Sequence, residues 1–448
     1  MPLVRLLDMH GEPFGYLIGY PIDLATGELL RADRRYDVVP GSIDTFYAEH
    51  IEDLQGNFIA ILAIGGEQRL YLDAMGTLSV VYDPEARAVG GAASDLLDEQ
   101  AYADRFDAEL HEKLGVAQDG WFPNGLTAHT GIVRLLPNHY LDLTTFRPVR
   151  HTMCASFADT PAEADDVADA IVTQVRGVTQ ALLAAGCPIA VGLTGGYDSR
   201  LLLAALRGMT DKVLFYTVAG PGSTFDLVRA KELAERFGLQ HKILPFATAD
   251  DAQKAEWDLR VGDCLRTVNR VMHPSVFPLE EYACIGGWGG EIGRCFLWRD
   301  MASVPGQIEA VHIVDRLKLN RVDKLVAGID RWLEDFAGVH PLTTLDMAYI
   351  EQRSGPWALA QSYANPRSLV FHPIGSARTI AGMLSLPPEV RQDDGLIRRA
   401  IERAWPELLE LPINRYGDRR DMVASARRLL NPGRVARKVR QVVRQKLA

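Results

Sequence analysis

The chain has 448 residues, room for two or three domains at the usual allowance of roughly 150 residues each. Its 47% hydrophobic and 24% charged residues exclude a disordered chain, a collagen-like fibre and a coiled-coil rod. The net charge of −10 is uneven: residues 415–448 hold eleven Lys and Arg against two Asp, leaving −19 on an acidic body ill suited to nucleic acid.

Taken in chain order, the opening MPLVRLLDMHGEPFG meets Asp8 and Glu12 too early for a signal peptide. Residues 1–155 read as a β-rich domain, a sandwich of short strands. The apolar run 57–64 (NFIAILAI) is followed by the turn Gly65-Gly66 and a returning strand at 70–72. A second candidate pair flanks Leu135, Leu136, Pro137 and Asn138. DTPAEADD then marks a linker, and the pattern changes. Val167, Ile171, Val175, Val178 and Leu182 recur at helical spacing, and Gly186 ends that helix. Residues 188–193 (PIAVGL) suit a buried parallel strand. A helix at 201–206, a strand at 213–218, and a helix capped by Ser223 or Thr224 and stopped by Gly238 follow. Strands at 242–244 and 283–286 complete the alternation. It predicts α/β architecture over 160–415, a doubly wound parallel sheet covered by helices, with a helical C-terminal region. No run of roughly 18 apolar residues predicts a membrane-spanning helix. Five scattered cysteines, Cys154, Cys187, Cys264, Cys284 and Cys295, fit a reduced, cytoplasmic protein better than a disulfide scaffold.

The segment carrying most chemical information is AVGLTGGYDSRLLLAAL, residues 190–206. A strand ends at Leu193, the loop Thr194, Gly195, Gly196, Tyr197, Asp198, Ser199 follows, and a helix begins. Adjacent glycines let backbone approach a ligand with N–H groups exposed. The helix start adds donors and partial positive charge, and the two hydroxyls can donate as well. This is a pyrophosphate cradle, neither a Walker A loop nor GxGxxG. Asp198 makes sense there if it holds Mg²⁺ against the phosphates. The alternative is a plain βα turn with a capping Asp. A second segment, IGGWGGEIGR at 285–294, follows a strand and belongs on the same edge of the sheet. Glu291 in it reads either as a second Mg²⁺ ligand or as a solvated loop residue. Arg200 reads either as reaching a phosphate or, preferably, as a helix-start residue with a solvated side chain; His241 reads as packed in preference to catalytic, and Arg353 and Arg378 as candidates for binding a substrate carboxylate.

TGGYDS resembles the SGGLDS pyrophosphatase loop of the asparagine synthetase family. VLFYTVAGPGSTFDLVRAKELAERFGLQH is similar to that family's second strand, turn and Asp-bearing helix, IGGWGGEIGR to its SGEGADE segment, and LSLPPEVR with LIRRAIERAWPELLELPINRYG to its C-terminal helical region. QGNFIAILA, RLYLDAMGTLSVVY and TGIVRLLPNHYLDL resemble its N-terminal glutaminase-like domain. The resemblance implies an ATP-dependent ligase that releases pyrophosphate, activates a small-molecule or peptide carboxylate as an acyl-adenylate, and passes it to ammonia or an amine. It implies ATP contacts from Leu193, Thr194, Gly195, Gly196, Tyr197 and Ser199. Backbone at Thr217, Val218 and Leu244 would line the adenine, with Gly286 and Gly287 nearby. Mg²⁺ would sit on Asp198 and Glu291.

Three departures qualify this. Pro2 stands where glutamine-using relatives carry a Cys, so glutamine hydrolysis is not expected. Trp288 aligns with the family's acid/base Glu, leaving Glu281, Tyr282, Glu351 and His372 as candidates for a replacement; a shifted alignment gives that role to Glu291 instead and leaves the second metal ligand open. Arg415 aligns with a pyrophosphate-stabilising Lys, keeping its charge. Beyond it, residues 416–448 form a basic tail. Val435, Val439, Val442, Val443 and Leu447 are spaced as an amphipathic helix. It would pack on the acidic body, or reach a peripheral membrane surface or an acidic partner. A homodimer is compatible with the sequence. Two other readings remain open: a nucleotide-binding scaffold without catalysis, and a nucleotide- or tRNA-modifying enzyme.

Overall fold

The computed structural model describes residues 1–38, 42–151, 163–301, 303–361 and 364–422. Cys154, residues 159–162 of the expected linker DTPAEADD, and the basic helix expected at 435–447 lie outside the described residues, while Ala164, Asp165 and Asp166 of that linker instead open the helix Ala164–Ala184.

The β-rich half is built on an eight-stranded, largely antiparallel sheet. Its path runs Arg147–Arg150, His139–Asp142, Glu67–Leu72, Gln55–Ile64, Pro13–Asp23, Leu3–Leu7, Arg34–Arg35, with Glu28–Leu29 paired to Pro13–Asp23. The apolar run at 57–64 is buried on both faces over 57–60, which is why it does not alternate there, while Ile61 is half-buried and Ala63 exposed. Phe58, Ala60, Leu62 and Ile64 pack with Phe46 of the helix Ile43–His50. Ile59 packs with Leu72, Val80, Tyr82 and Leu135 under a second, three-stranded sheet. The two sheets make the expected sandwich, with short helices added.

The second half is a five-stranded sheet, parallel throughout. Its strands are β1 (Ile189–Gly192), β2 (Val213–Ala219), β3 (His241–Pro245), β4 (Ala283–Ile285) and β5 (Leu369–Phe371), in the order β3-β2-β1-β4-β5. Period-2 alternation sends Val191, Phe215, Ile285 and Phe371 to one face. Ala190, Leu244 and Cys284 go to the other, under Leu279. The first face carries three helices, α1 (Ala164–Ala184), α2 (Tyr197–Ala205) and α3 (Thr224–Phe237), and α4 (Gly395–Ala404) packs outside them on α1 and α2. The row Val167, Ile171, Val175, Val178, Leu182 of α1 is buried as its spacing predicts. Ser223 stands at the start of α3, but its hydroxyl donates to Gly220 O at 2.7 Å instead of capping the helix. Gly238 ends α3 in the left-handed region at φ 65°. No helix of the described residues is long and apolar enough to cross a membrane.

The halves share one core and several polar links. Asn57 Nδ2 donates to Val370 O at 2.7 Å, and Trp121 Nε1 to Gln352 O at 2.8 Å. Glu351 is fully buried and takes Arg150 from the β-rich half, together with Trp332 Nε1 at 2.6 Å.

Candidate active site

The strand order reverses between β1 and β4, because the chain leaves β1 toward β2 on one side and reaches β4 on the other. Crevices at such a reversal, beyond the carboxyl ends of the strands, are where open α/β sheets bind ligands. Residues 193–199 leave β1 there, and 286–294 leave β4.

The first loop is a self-bonded turn. Thr194 Oγ1 and Ser199 Oγ are 2.8 Å apart, and the Thr194 N–H donates to Ser199 Oγ at 3.2 Å. The Gly195 N–H donates to Asp226 Oδ1 at 2.9 Å, and the Gly196 N–H to Thr194 Oγ1 at 3.3 Å. The glycine amides are therefore held within the protein, contrary to the expectation that they face a ligand. What the glycines provide is close approach. A Cβ on Gly195 would run into the Phe225 ring, and one on Gly287 would lie 2.6 Å from Asp198 Cβ. The donors for an anion are the first-turn N–H groups of α2, which starts at Gly196 with no side-chain cap.

Asp198, in that first turn, faces the second loop. Arg294 Nη2 donates to both its oxygens, at 2.9 and 2.7 Å, and lies 3.8 Å from Glu291 Oε1. Burial pushes the Asp198 carboxyl up to about 7, with Arg294 working against the rise and the charges of Glu291 and Asp394 adding to it. Glu291 Oε2 is buried without a hydrogen-bond partner among the described residues. Two carboxylates around one cation, one oxygen still unfilled, form a hard-oxygen donor pair of the type Mg²⁺ takes together with phosphate oxygens. Among the described residues no group of three His, Cys, Asp or Glu stands ready for a metal.

Beside the start of α2 opens a cleft of about 360 Å³, lined in part by Tyr197, Arg299, Asp394, Arg398, Asn414 and Arg415. Arg415 is thus brought to the loop from more than 200 residues away in sequence. The Asn414 N–H donates to Gly195 O at 2.9 Å, and Arg229 donates to the carbonyls of Arg415 and Tyr416 at 3.1 and 3.0 Å. Asp394 accepts from Arg299 at 2.7 Å. Three guanidinium groups against one carboxylate make this cleft suited to a polyanion.

The other expected site residues divide. Leu193 is fully buried, and its carbonyl accepts from Thr217 Oγ1 at 2.6 Å. The Thr217 hydroxyl also meets His241 Nε2 at 2.9 Å, so His241 is packed as expected. Val218 is half-buried near the end of β2, paired with Leu244 of β3, whose side chain is wholly in the core. Gly286 lies against the His372 ring. Of the acid/base candidates, Glu351 is committed to Arg150, Trp332 and Asn138, and Glu281 is exposed. Tyr282 packs on the face under Leu279. His372 is buried edge-on to Trp288, its ring against the backbone of Gly286. Arg378 pairs with Asp53 at 2.8 Å on the surface. Arg200 corrects the sequence reading: it is fully buried and donates to Leu408 O and Leu411 O at 2.5 and 3.0 Å, so it anchors the segment before Arg415. Arg294 and Asp394 carried no signal beyond position, whereas Asp226 lies in the helix that the resemblance matched to the family's Asp-bearing one. Arg294 stands three residues after Glu291, the one spacing that could have flagged it.

No protein-family model matches the chain, and no curated protein does. Among solved structures the chain is similar to an NH3-dependent NAD synthetase from Campylobacter jejuni subsp. jejuni NCTC 11168, at 12% identity and TM-score 0.23, over 44% of this chain and 96% of that one. It is similar to NAD+ synthetase from Burkholderia pseudomallei at 12% identity and TM-score 0.19, over 57% and 93%. A glutamine-dependent NAD+ synthetase from Acinetobacter baumannii, in complex with ADP, gives 12% identity and TM-score 0.19 over 70% and 81%. Likeness at this level leaves function to the site's own geometry.

Proposed function

We propose that the chain is an ATP-dependent ligase of asparagine-synthetase type, forming AMP and pyrophosphate, without glutaminase activity. The observation that carries this reading is the 194–199 loop at the strand-order reversal. It opens an uncapped helix beside the Asp198–Glu291 pair and the arginine-lined cleft. In the proposed reaction a substrate carboxylate oxygen attacks the α-phosphorus of ATP. The α–β P–O bond breaks and pyrophosphate leaves. Ammonia or an amine then attacks the acyl carbon, and AMP leaves. First-turn N–H groups of α2, with Arg415, Arg299 and Arg398, would hold the charge that gathers on pyrophosphate. Asp198 and Glu291 would hold Mg²⁺, which when bound offsets phosphate charge. Trp288 cannot move a proton, so the amine proton must pass to another group.

ATP–pyrophosphate exchange across a panel of carboxylates tests this. The expected result is exchange with at least one carboxylate, abolished in Asp198→Asn. Folded protein with Mg²⁺ that exchanges with none refutes it.

One observation favours a second reading. Arg294 already occupies both oxygens of Asp198, as in a nucleotide-binding scaffold that has given up its metal. Nucleotide affinity that is identical in Mg²⁺ and in EDTA, with no exchange, would establish that reading instead.

A further inference from the structure

A helix runs without interruption through Pro341–Ala348, Tyr349–Ser354 and Gly355–Gln361, and its middle portion is a π-helix. Such widened turns are rare and tend to occur at functional positions. The sequence explains this one. Pro356 has no N–H to give to Gln352 O, four residues back, and its ring crowds that carbonyl. The freed carbonyl is taken by Trp121 Nε1 of the β-rich half, at 2.8 Å. The proline therefore both opens the helix and fixes Trp121 against it.

Arg353 projects from this widened turn into a box of rings. Its guanidinium carbon lies 5.1 Å from the Trp121 ring centre, 4.9 Å from Phe296 and 4.6 Å from Trp357. Among the described residues Arg353 forms no ion pair. Burial pushes the guanidinium below its ordinary value, with the fields of Tyr349 and Glu291 working against that fall. A guanidinium stays protonated regardless. A half-buried cation walled by aromatic faces but lacking a carboxylate keeps the in-plane edge of its fork unused, and that edge matches a carboxylate in two parallel hydrogen bonds.

The box is open and adjoins the candidate active site. Phe296 is 43% exposed, and its N–H donates to Glu291 O at 3.3 Å. Its ring stands 4.9 Å from that of Tyr349, on the same π-helix. A ligand carboxylate on Arg353 would thus place its scaffold against Phe296 and Trp357, on the side of the loop that carries Glu291.

We propose that Arg353, with Trp121, Phe296 and Trp357, is the substrate-recognition site of the ligase, binding a carboxylate borne on an aromatic scaffold. A carboxylate gripped by two charge-assisted hydrogen bonds is a poor nucleophile, so the anchored group is not the one activated. The substrate class is then an aromatic acid with a second carboxyl or an amine elsewhere. This assignment of substrate rests on the ligase reading; the anion site itself does not.

Calorimetric titration of the full chain with benzoate, phenylacetate and benzamide tests it. Both acids are expected to bind saturably, and benzamide about tenfold more weakly or worse, the worth of one charge-assisted bond. Arg353→Gln should lose acid binding by about tenfold or more, and Arg353→Lys should retain part of it. Phe296→Ala, at an exposed ring, should weaken it several-fold with an unchanged melting temperature. Equal binding of benzoate and benzamide, acid binding by Arg353→Gln equal to wild type, or no acid binding by folded wild-type protein each overturns the site. Titration of the same preparations with ATP and Mg²⁺ separates the two ideas. Acid binding without nucleotide binding ends the ligase reading and keeps the site; nucleotide binding without acid binding does the reverse.

Discussion

Gly287 offers a direct test of how the two loops fit together. A methyl group there would lie 2.6 Å from Asp198 Cβ, 3.3 Å from Asp198 C and 3.4 Å from Asp198 Cα. Carbon atoms in contact settle at roughly 3.5–4.0 Å, so about 1 Å must open. The obstructing atoms belong to the backbone and first side-chain carbon of α2's first turn, and no rotamer change moves them. Overpacking of this kind costs about 1–3 kcal/mol, which lowers the melting temperature by a few degrees. The functional loss should be larger, because a displacement of about 1 Å at a catalytic group costs on the order of 100-fold. Gly287→Ala is therefore expected to melt slightly early and to lose nearly all ATP–pyrophosphate exchange and most nucleotide affinity. Gly306, which has nothing within 4 Å of its added Cβ, is the control, and Gly306→Ala should match wild type in every respect. If Gly287→Ala also matches wild type in melting, nucleotide titration and exchange, the two loops do not meet at Asp198 and the site is wrong.

Other substitutions probe neighbouring claims. Arg294→Gln leaves Asp198 and Glu291 without their shared cation, at a cost of about 1–3 kcal/mol given the partial exposure of Asp198; scanning calorimetry should find the lost melting temperature recovered by millimolar Mg²⁺, and no recovery would mean that the pair takes no metal. Burial holds His372 neutral down to about 4 against an ordinary value near 6.5. Between those pH values the unfolded chain binds a proton the folded one refuses, so stability falls as pH falls, by about 3 kcal/mol at most. His372→Leu should flatten the acid limb of a melting-temperature–pH profile by up to that amount; the limb should not vanish, because burial likewise lowers His151 to about 4. An unchanged limb would remove His372 from the account. Glu351→Ala strips a buried carboxylate from Arg150 and Trp332 and should cost about 3–5 kcal/mol in chemical denaturation while leaving nucleotide affinity intact. A loss of affinity without loss of stability would restore Glu351 as an acid/base candidate.

The parts of this molecule that could be read from sequence are those where one physical pattern repeats. The row from Val167 to Leu182 recurs every three or four residues because one face of α1 packs on the sheet, and β1 is uniformly apolar because its sheet is covered on both sides. The position of the loop at 194–199 was legible because its glycines interrupt an apolar strand and an apolar helix on either side. What escaped was set by tertiary contacts alone. β5 is three residues long, too short for any period, and exists because it pairs with β4. Arg200 looked like a solvated helix residue because the carbonyls of Leu408 and Leu411 that bury it lie some 200 residues away. Arg294 looked like filler after Glu291, because nothing local says that it will reach back to Asp198. The widened turn at 349–354 has a visible cause in Pro356, but its consequence depends on Trp121, far upstream.

Those long-range contacts also give the β-rich half a role that needs no nucleophile. β5 is the edge of the parallel sheet, and an edge strand presents unpaired N–H and C=O groups along its open side. The β-rich half covers that side: Asn57 takes the carbonyl of Val370, while Tyr20 packs edge-on to Phe371 at 6.2 Å between ring centres. It also supplies Trp121 to the ring box and Arg150 to Glu351. Each contact would be lost together if the first half were removed, exposing the sheet edge, leaving a buried glutamate short of its arginine and taking one wall from the proposed substrate site. The contacts make the first half part of the structure that the second half needs to close its sheet edge and its core.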